Sequence, residues 1–285
     1  MFDPKPTKYP FPKDTGSHYL VVKKNDGTVF DADYPYLDRS PKMLRTQWWT
    51  RLLLNVLVFP VAYFKLGLKI VGRENLKKHK DELANGCVSI ANHIHLWDYI
   101  SIMKAVRPRK TNVLVWAPNI RGENGKMMRA VGGIPIPEGD FQATFAYLRD
   151  VEKLLNEDHG WLQIYPEGSM WEYYAPIRPF KHGAAYFAVK FNKPLVPLGF
   201  SYREPGWLRK TLFGQQAKLT LTVGEPLWPN PELEGTEAEI ELTKRAHEAV
   251  CRLAGIDPEK NPYPPVYDTQ SAKRVDYYTE DYGYC

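Results

Sequence analysis

Apolar and amphipathic runs alternate along the chain from residue 66 onward. The apolar runs have the length and composition of strands buried in a sheet, and they read LKIVG, CVSIA, NVLVWA, GGIPIP, WLQIYP, PLVPLGF and KLTLTVG. Runs with helical periodicity lie between and after them: residues 97–106, FQATFAYLRDVEKLLNE, HGAAYFAVKFN and EAEIELTKRAHEAVCRLAG. The alternation predicts a single α/β domain over residues 66–256, with a mixed, largely buried sheet flanked by helices.

A different pattern precedes this domain, over residues 41–65. Its apolar core runs from Leu52 to Phe64 and contains Pro60, and as a helix it would reach roughly 20 Å against a hydrocarbon core of about 30 Å. Basic residues flank it, and the pair Trp48-Trp49 precedes it. Tryptophan and cationic side chains favour the headgroup region, which predicts an interfacial, membrane-associating helix. A buried helix with a proline kink is the alternative.

The two ends of the chain have their own composition. Residues 1–40 are rich in Pro, Asp and Tyr, and HYLVVKKNDGTVFDADY predicts two short strands around an Asn-Asp-Gly turn. We interpret this segment as an N-terminal extension without visible chemistry. The tail, residues 257–285, is rich in Pro, Tyr and charged residues, and we expect it to run over the surface.

Composition and charge restrict the function classes. Apolar residues make up 44% of the 285 residues, which excludes global disorder, and the formal net charge of +5 is too small to indicate nucleic-acid binding. Three widely spaced cysteines, without a CxxC pair, predict neither a disulfide framework nor a zinc knuckle, and they fit a reducing compartment. The first sixteen residues contain no apolar stretch typical of a secretory signal.

Two histidines and an aspartate follow the second predicted strand, in the heptad NHIHLWD. His93, His95 and Asp98 could ligate a metal ion and support a hydrolase. Alternatively, Asp98 could hold one ring nitrogen of His93, so that the other nitrogen acts as a general base. A third possibility is structural, with Asp98 at the N-terminus of a helix and His93 incidentally polar.

A second motif, YPEGS, follows another predicted strand some seventy residues later. Together with NHIHLWD it resembles the HxxxxD and Pro-Glu-Gly motifs of the glycerolipid acyltransferase family, which includes the lysophosphatidic acid acyltransferases. GGIPIPEGD and LVPLGF are similar to two further blocks of that family, and the resemblance covers roughly residues 66–225. It implies a glycerol-3-phosphate acyltransferase-like catalytic domain.

The resemblance also implies roles for individual residues. His93 would deprotonate a hydroxyl of a lipid acceptor, which then attacks the thioester of acyl-CoA or acyl-carrier protein, and Asp98 would orient His93. Further substrate-binding residues would be Asn92, Glu167, Gly168, Ser169, Arg129, Arg178 and Lys181. Neither a metal ion nor a cofactor is implied, and the enzyme would work on the cytoplasmic face of a membrane as a peripheral or monotopic protein.

The chain departs from the family pattern at two positions where an arginine is usual. Pro137 and Met170 occupy these places, and a guanidinium is the natural clamp for a phosphate monoester. Possible replacement cations are Arg121, Lys126, Arg129, Arg178 and Lys181. The aromatic residues Trp171, Tyr173 and Tyr174 could instead line a site for a lysophospholipid, a glycolipid or a neutral alcohol, although packing is the more common role of such residues. For His95 we expect local hydrogen bonding or a place in the acceptor pocket.

Overall fold

The structure is a computed structural model that describes residues 2–4, 11–12, 14–18, 25–138 and 140–267. In these ranges a seven-stranded sheet has the strand order β1-β7-β6-β2-β5-β3-β4. The strands are β1 Lys69–Val71, β2 Cys87–Ala91, β3 Thr111–Trp116, β4 Gly133–Ile136, β5 Trp161–Ile164, β6 Leu195–Arg203 and β7 Lys218–Val223.

The sheet is mixed, as the sequence predicts. β6 and β7 pair antiparallel, whereas every other neighbouring pair is parallel. All seven apolar runs form the predicted strands. β2 and β5 are buried along their whole length, because helices cover both faces of the sheet.

Eleven α-helices surround the sheet in the described ranges. They are α1 Pro41–Leu53, α2 Phe59–Leu66, α3 Arg73–Lys78, α4 Lys80–Ala84, α5 Asp98–Ala105, α6 Ala117–Arg121, α7 Gly125–Ala130, α8 Phe141–Asn156, α9 Gly183–Lys190, α10 Trp207–Phe213 and α11 Gly235–Leu253. The four helices predicted from periodicity correspond to α5, α8, α9 and α11. The sequence interpretation missed α3, α4, α6, α7 and α10, which have only five to seven residues each.

The predicted apolar helix is longer than its apolar core indicated. It runs without interruption over Pro41–Leu66, a length of 26 residues, and by length and composition it could cross a membrane. A π-helical segment, Leu54–Val58, joins α1 to α2 immediately before Pro60. The wider turn accommodates the proline, which cannot donate a backbone hydrogen bond and whose ring would clash with the preceding turn.

One stripe of this helix packs on the domain and the rest is exposed. Leu54 and Phe59 contact Met103 of α5 and Val131, and Leu66 lies in the core. The exposed side chains include Trp48, Trp49, Leu53, Val56, Leu57, Val61 and Phe64. The alternative of a fully buried helix is therefore wrong.

The N-terminal extension differs from its prediction. Residues 25–34 contain no strand, and the other half of the expected hairpin, residues 19–24, lies outside the described residues. Phe30 and Tyr36 instead pack into the main core. The structure describes the tail as far as Tyr267. There the tail pairs with Phe180: the Phe180 N–H donates to the carbonyl of Pro265, and the Tyr267 N–H donates to the carbonyl of Phe180.

Candidate active site

The loops after β2 and β5 meet at one edge of the sheet. Because these two strands are parallel neighbours, their carboxyl ends lie side by side. The loop after β2 carries His93, and the loop after β5 carries Tyr165, Glu167 and Ser169. The two motifs noted in the sequence are thus brought together by the fold.

His93 and Asp98 form a hydrogen-bonded dyad. The distance from His93 Nδ1 to Asp98 Oδ2 is 2.8 Å, and the same oxygen accepts the backbone N–H groups of Ile94 and His95 at 2.8 and 3.2 Å. Asp98 is fully buried at the first residue of α5, where the helix dipole favours a carboxylate. A carboxylate that accepts a hydrogen bond from Nδ1 leaves the lone pair on Nε2, the nitrogen that can act as a base.

Tyr165 fixes the plane of the imidazole. Its ring stacks on that of His93 with the centroids 3.9 Å apart and an interplanar angle of 16°. The phenol is buried, which raises its pKa well above the ordinary value, and its hydroxyl has no hydrogen-bond partner among the described residues. The His93 side chain is 25% exposed, so the dyad is braced on one face and open to substrate.

Glu167 connects the two loops. Its Oε2 accepts the backbone N–H of His93 at 2.9 Å, and its Oε1 accepts the backbone N–H of Arg178 at 2.9 Å. The side chain is 1% exposed. The expectation that Glu167 binds substrate is therefore not supported, because both carboxylate oxygens accept hydrogen bonds from protein donors and the side chain is closed off from solvent. Glu167 positions the backbone of His93.

Arg178 and Ser169 complete the same buried network. The Arg178 guanidinium pairs with Glu167 Oε2 at 2.9 Å and donates to the hydroxyl and carbonyl oxygens of Ser169 and to the carbonyl of Thr15. Arg178 is 1% exposed and lies over the ring of Trp171. The prediction that Arg178 and Ser169 bind substrate does not match this burial: they hold the loop after β5 in place.

Gly168 and Lys181 lie together on the exposed side of the network. Gly168 has a φ of +79°, and a methyl group built on it would come within 2.9 Å of Lys181 Nζ. A left-handed backbone and this close approach both favour glycine. Lys181 is exposed, and its backbone N–H bonds to the carbonyl of Pro166. Of the two cations that follow YPEGS, Arg178 is buried and Lys181 is exposed.

Asn92 has a structural task. Its amide group exchanges two hydrogen bonds with the backbone of Phe200 in β6, at 2.8 and 3.1 Å, and the residue is 1% exposed. Such pairing consumes the side-chain groups that were expected to contact substrate. Asn92 instead fixes the end of β2, from which the loop that carries His93 departs.

The metal interpretation finds no support in the arrangement of the side chains. Asp98 Oδ2 already serves three donors, and His95 Nδ1 accepts the backbone N–H of Trp97 at 3.1 Å. No group of three His, Cys, Asp or Glu side chains converges as a metal site within the described ranges. Burial lowers the pKa of His95, which organises its own loop in agreement with the expectation of local hydrogen bonding.

The remaining predicted residues lie away from the dyad or inside the core. Arg129 donates to the carbonyls of Pro35 and Tyr36 and lies over the ring of Tyr34, so it fastens the N-terminal extension. Arg121 is held by Glu138 and by the carbonyl of Thr28 in the same way.

The aromatic run is mostly packing. Trp171 and Tyr174 are 2% and 3% exposed, and the backbone N–H groups of Trp171 and Tyr173 bond to the carbonyls of His93 and Ile94. A neutral-acceptor site built from these rings is therefore not supported. They pin the loop after β5 to the loop after β2.

Comparison with known proteins finds similarity to acyltransferases. The Acyltransferase family model matches residues 67–201, the segment that contains the dyad and the Glu167 network. The human protein 1-acyl-sn-glycerol-3-phosphate acyltransferase beta is 25% identical over 144 residues, which cover 50% of this chain and 51% of the human protein. The chain thus spans about half the length of the curated relative it matches.

A solved structure shows similarity as well. It is the 1-acyl-sn-glycerophosphate (LPA) acyltransferase PlsC from Thermotoga maritima, which is 20% identical, with 77% of this chain and 84% of that chain covered and a TM-score of 0.47. The stretch that the Acyltransferase family model matches, residues 67–201, is the one in which the two motifs lie at adjacent strand ends.

Proposed function

We propose that the protein is an O-acyltransferase that moves a fatty acyl group from acyl-CoA or acyl-carrier protein to a hydroxyl of lysophosphatidic acid or a related lysolipid. The observation that carries the proposal is the His93–Asp98 dyad, in which Nδ1 is held and Nε2 has no hydrogen-bond partner among the described residues. General-base catalysis by such a histidine typically contributes about 10²–10⁴-fold to a rate.

The reaction follows from this dyad. His93 Nε2 takes the proton of the acceptor hydroxyl as its oxygen attacks the thioester carbonyl. Asp98 stabilises the imidazolium that forms, and the C–S bond then breaks. The imidazolium returns its proton to the departing thiolate, so the histidine ends as it began and the products are an ester and a free thiol. No step in this scheme requires a metal ion or a cofactor.

The exposed apolar helix supports membrane association. Its outward side chains continue onto α10, where Trp207, Leu208 and Leu212 are 75%, 51% and 65% exposed. Arg209 and Gln215 donate to the carbonyls of Phe64 and Lys65, which fastens α10 to the end of α2. Such a contiguous apolar surface with Trp and basic residues is suited to a lipid interface.

This surface borders the active site. Lys65 at the end of α2 lies 4.9 Å above the ring of Trp97, which belongs to the loop that holds the dyad. A lipid acceptor could therefore reach His93 from the membrane, and the cytoplasmic face is the side where the acyl donors are available.

The test is acyl transfer from labelled acyl-CoA to a panel of lysophosphatidic acid, other lysophospholipids, glycolipids and alcohols. His93→Ala should abolish transfer to every acceptor and leave the thermal unfolding unchanged. His159→Asn is the matched control, because His159 is exposed before β5 at the opposite edge of the sheet and its left-handed φ tolerates asparagine. Turnover retained in His93→Ala would refute the mechanism.

A further inference from the structure

A short piece of the N-terminal extension lies against the active-site loops. We call residues 14–18 the strap. Two hydrogen bonds hold it in place: the Arg178 guanidinium donates to the carbonyl of Thr15 at 2.9 Å, and Trp171 Nε1 donates to the carbonyl of Ser17 at 3.1 Å. Phe11 stacks on the ring of Trp171. The strap lies outside the matched acyltransferase segment and nevertheless belongs to the buried network behind the dyad.

The strap ends at His18 on the catalytic edge of the sheet. The His18 ring stacks on Trp116 with the centroids 3.6 Å apart and an interplanar angle of 15°. Trp116 is the last residue of β3, the neighbour of β5, so it lies at the same edge as the loop that carries Tyr165. His18 is half-buried there.

The surroundings of His18 are cationic. Its pKa is lowered first by burial and then by the nearby positive groups Lys181, Arg178 and His93. The charge of Arg178 is already balanced by Glu167. Lys181 Nζ has no carboxylate within ion-pair distance in the described ranges, and its neighbours are Gly168 and the ring of Tyr267 at 5.5 Å.

Asp14 is the acidic residue of the strap, and both of its carboxylate oxygens accept hydrogen bonds from protein groups. Its Oδ1 accepts the Gly16 N–H and the Tyr267 hydroxyl, at 3.1 and 2.9 Å, and its Oδ2 accepts the Ser17 hydroxyl at 3.2 Å. Lys181 is close enough to contribute to the lowered pKa of Asp14, although it acts after the Gly16 N–H. Lys181 Nζ thus lies over the Tyr267 ring that is bonded to the strap, and His18 lies at the end of β3, on the edge of the sheet that carries the dyad. Within the described residues, both carboxylate oxygens of the nearby Asp14 already accept hydrogen bonds from other groups.

We propose that His18 and Lys181 together bind the phosphate group of the acceptor and select phosphate-bearing lysolipids. The inference rests on the proposed function, and it names the groups that take the place of the arginines absent at Pro137 and Met170. The lysine supplies a charge and the imidazole an N–H donor, both of which suit phosphate oxygens. The bound dianion removes the repulsion between the two groups.

The kinetic test compares two acceptors with the same acyl chain, lysophosphatidic acid and monoacylglycerol, on the full chain. His18→Gln and Lys181→Met should each raise the KM for lysophosphatidic acid by about 10-fold to 100-fold, with kcat changed less than about 3-fold. Lys181→Arg should retain most of the affinity. The KM for monoacylglycerol should not move, whereas damage to the fold would affect both acceptors. His159→Asn and Lys77→Met are exposed controls.

A binding measurement separates this inference from the proposed function. Glycerol 3-phosphate, titrated into the wild-type protein, should shift the His18 imidazole resonance saturably, and glycerol should not. The shift should disappear in Lys181→Met. Phosphate binding without acyl transfer would refute the proposed function alone. Acyl transfer with an unchanged KM in both variants, or a His18 resonance indifferent to glycerol 3-phosphate, would overturn the inference.

Discussion

Arg178→Met provides the most demanding test of the network behind the dyad. The guanidinium and the Glu167 carboxylate are each 1% exposed and 2.9 Å apart. Removal of the arginine leaves a buried carboxylate with two backbone donors only, and it leaves the Ser169 hydroxyl and the Thr15 carbonyl without the donor they now have. Loss of one partner of a buried ion pair typically costs about 3–5 kcal/mol. We expect a loss of this size in the free energy of unfolding.

The assay is chemical denaturation followed by circular dichroism, with thermal unfolding as a second measure. A loss of 3–5 kcal/mol corresponds to a decrease of roughly 6–20 °C in Tm for a protein of this size. Arg245→Met is the matched control, because Arg245 pairs with Glu241 one helical turn away and both side chains are about one-third exposed. That surface pair should contribute less than about 1 kcal/mol.

A double-mutant cycle then isolates the charge pair. Glu167→Gln combined with Arg178→Met removes both charges, so the double variant should be more stable than the sum of the single losses predicts, by about 1 kcal/mol or more. A loss below about 1 kcal/mol in Arg178→Met, or strict additivity in the cycle, would refute the reasoning. Activity should fall in each single variant, since Glu167 holds the backbone of His93.

Three further predictions address separate features. Burial lowers the pKa of His247 to about 4, so the folded state binds fewer protons than the unfolded state as the pH falls below 6.5. The protein should therefore lose on the order of 3 kcal/mol of unfolding free energy by pH 4. The His247→Gln variant should lose clearly less over the same pH range. Tyr165→Phe should not destabilise the protein, because the buried hydroxyl has no hydrogen-bond partner among the described residues, whereas Tyr165→Ala should lower kcat. A loss above about 1 kcal/mol in the phenylalanine variant would reveal an ordered water at that hydroxyl. Trp207→Asp should reduce co-sedimentation with anionic liposomes, and the control Trp228→Asp should not. Trp228 follows the bridge at the start of β6, whereas α10 follows the end of β6. Equal liposome binding by both variants would show that α10 does not belong to the membrane surface.

The sheet could be predicted because each strand is a local signal. An apolar run such as CVSIA has to be buried on both faces, and all seven such runs became strands. The short helices escaped prediction, since five to seven residues give too few turns for a periodic pattern. The helix over Pro41–Leu66 agrees with the predicted segment, residues 41–65, and exceeds its apolar core, Leu52–Phe64, because the polar first half, Pro41–Leu53, continues the same backbone.

In the site, too, contacts between residues close in the sequence could be predicted, and contacts between distant residues could not. His93 and Asp98 are five residues apart, so their pairing could be anticipated from the heptad. The roles of Arg178 and Glu167 could not, because a charged residue has the same appearance in the sequence whether it faces solvent or is sealed against a partner. The strap was missed for a related reason: it contributes backbone carbonyls, which every residue has. The Pro-Asp-Tyr composition of residues 1–40 gave no indication of where they lie.

The pairing of Asn92 with Phe200 has a consequence for the order of events during synthesis. The loop that carries His93 leaves β2 at a point fixed by Phe200 of β6, which is 108 residues further along the chain, and β2 itself lies between β5 and β6. The ribosome therefore releases the apolar helix and the whole heptad long before the heptad can adopt its working geometry. Contacts this distant along the chain form late in folding. The loop that carries the dyad reaches its final geometry only after β6 has been inserted into the sheet.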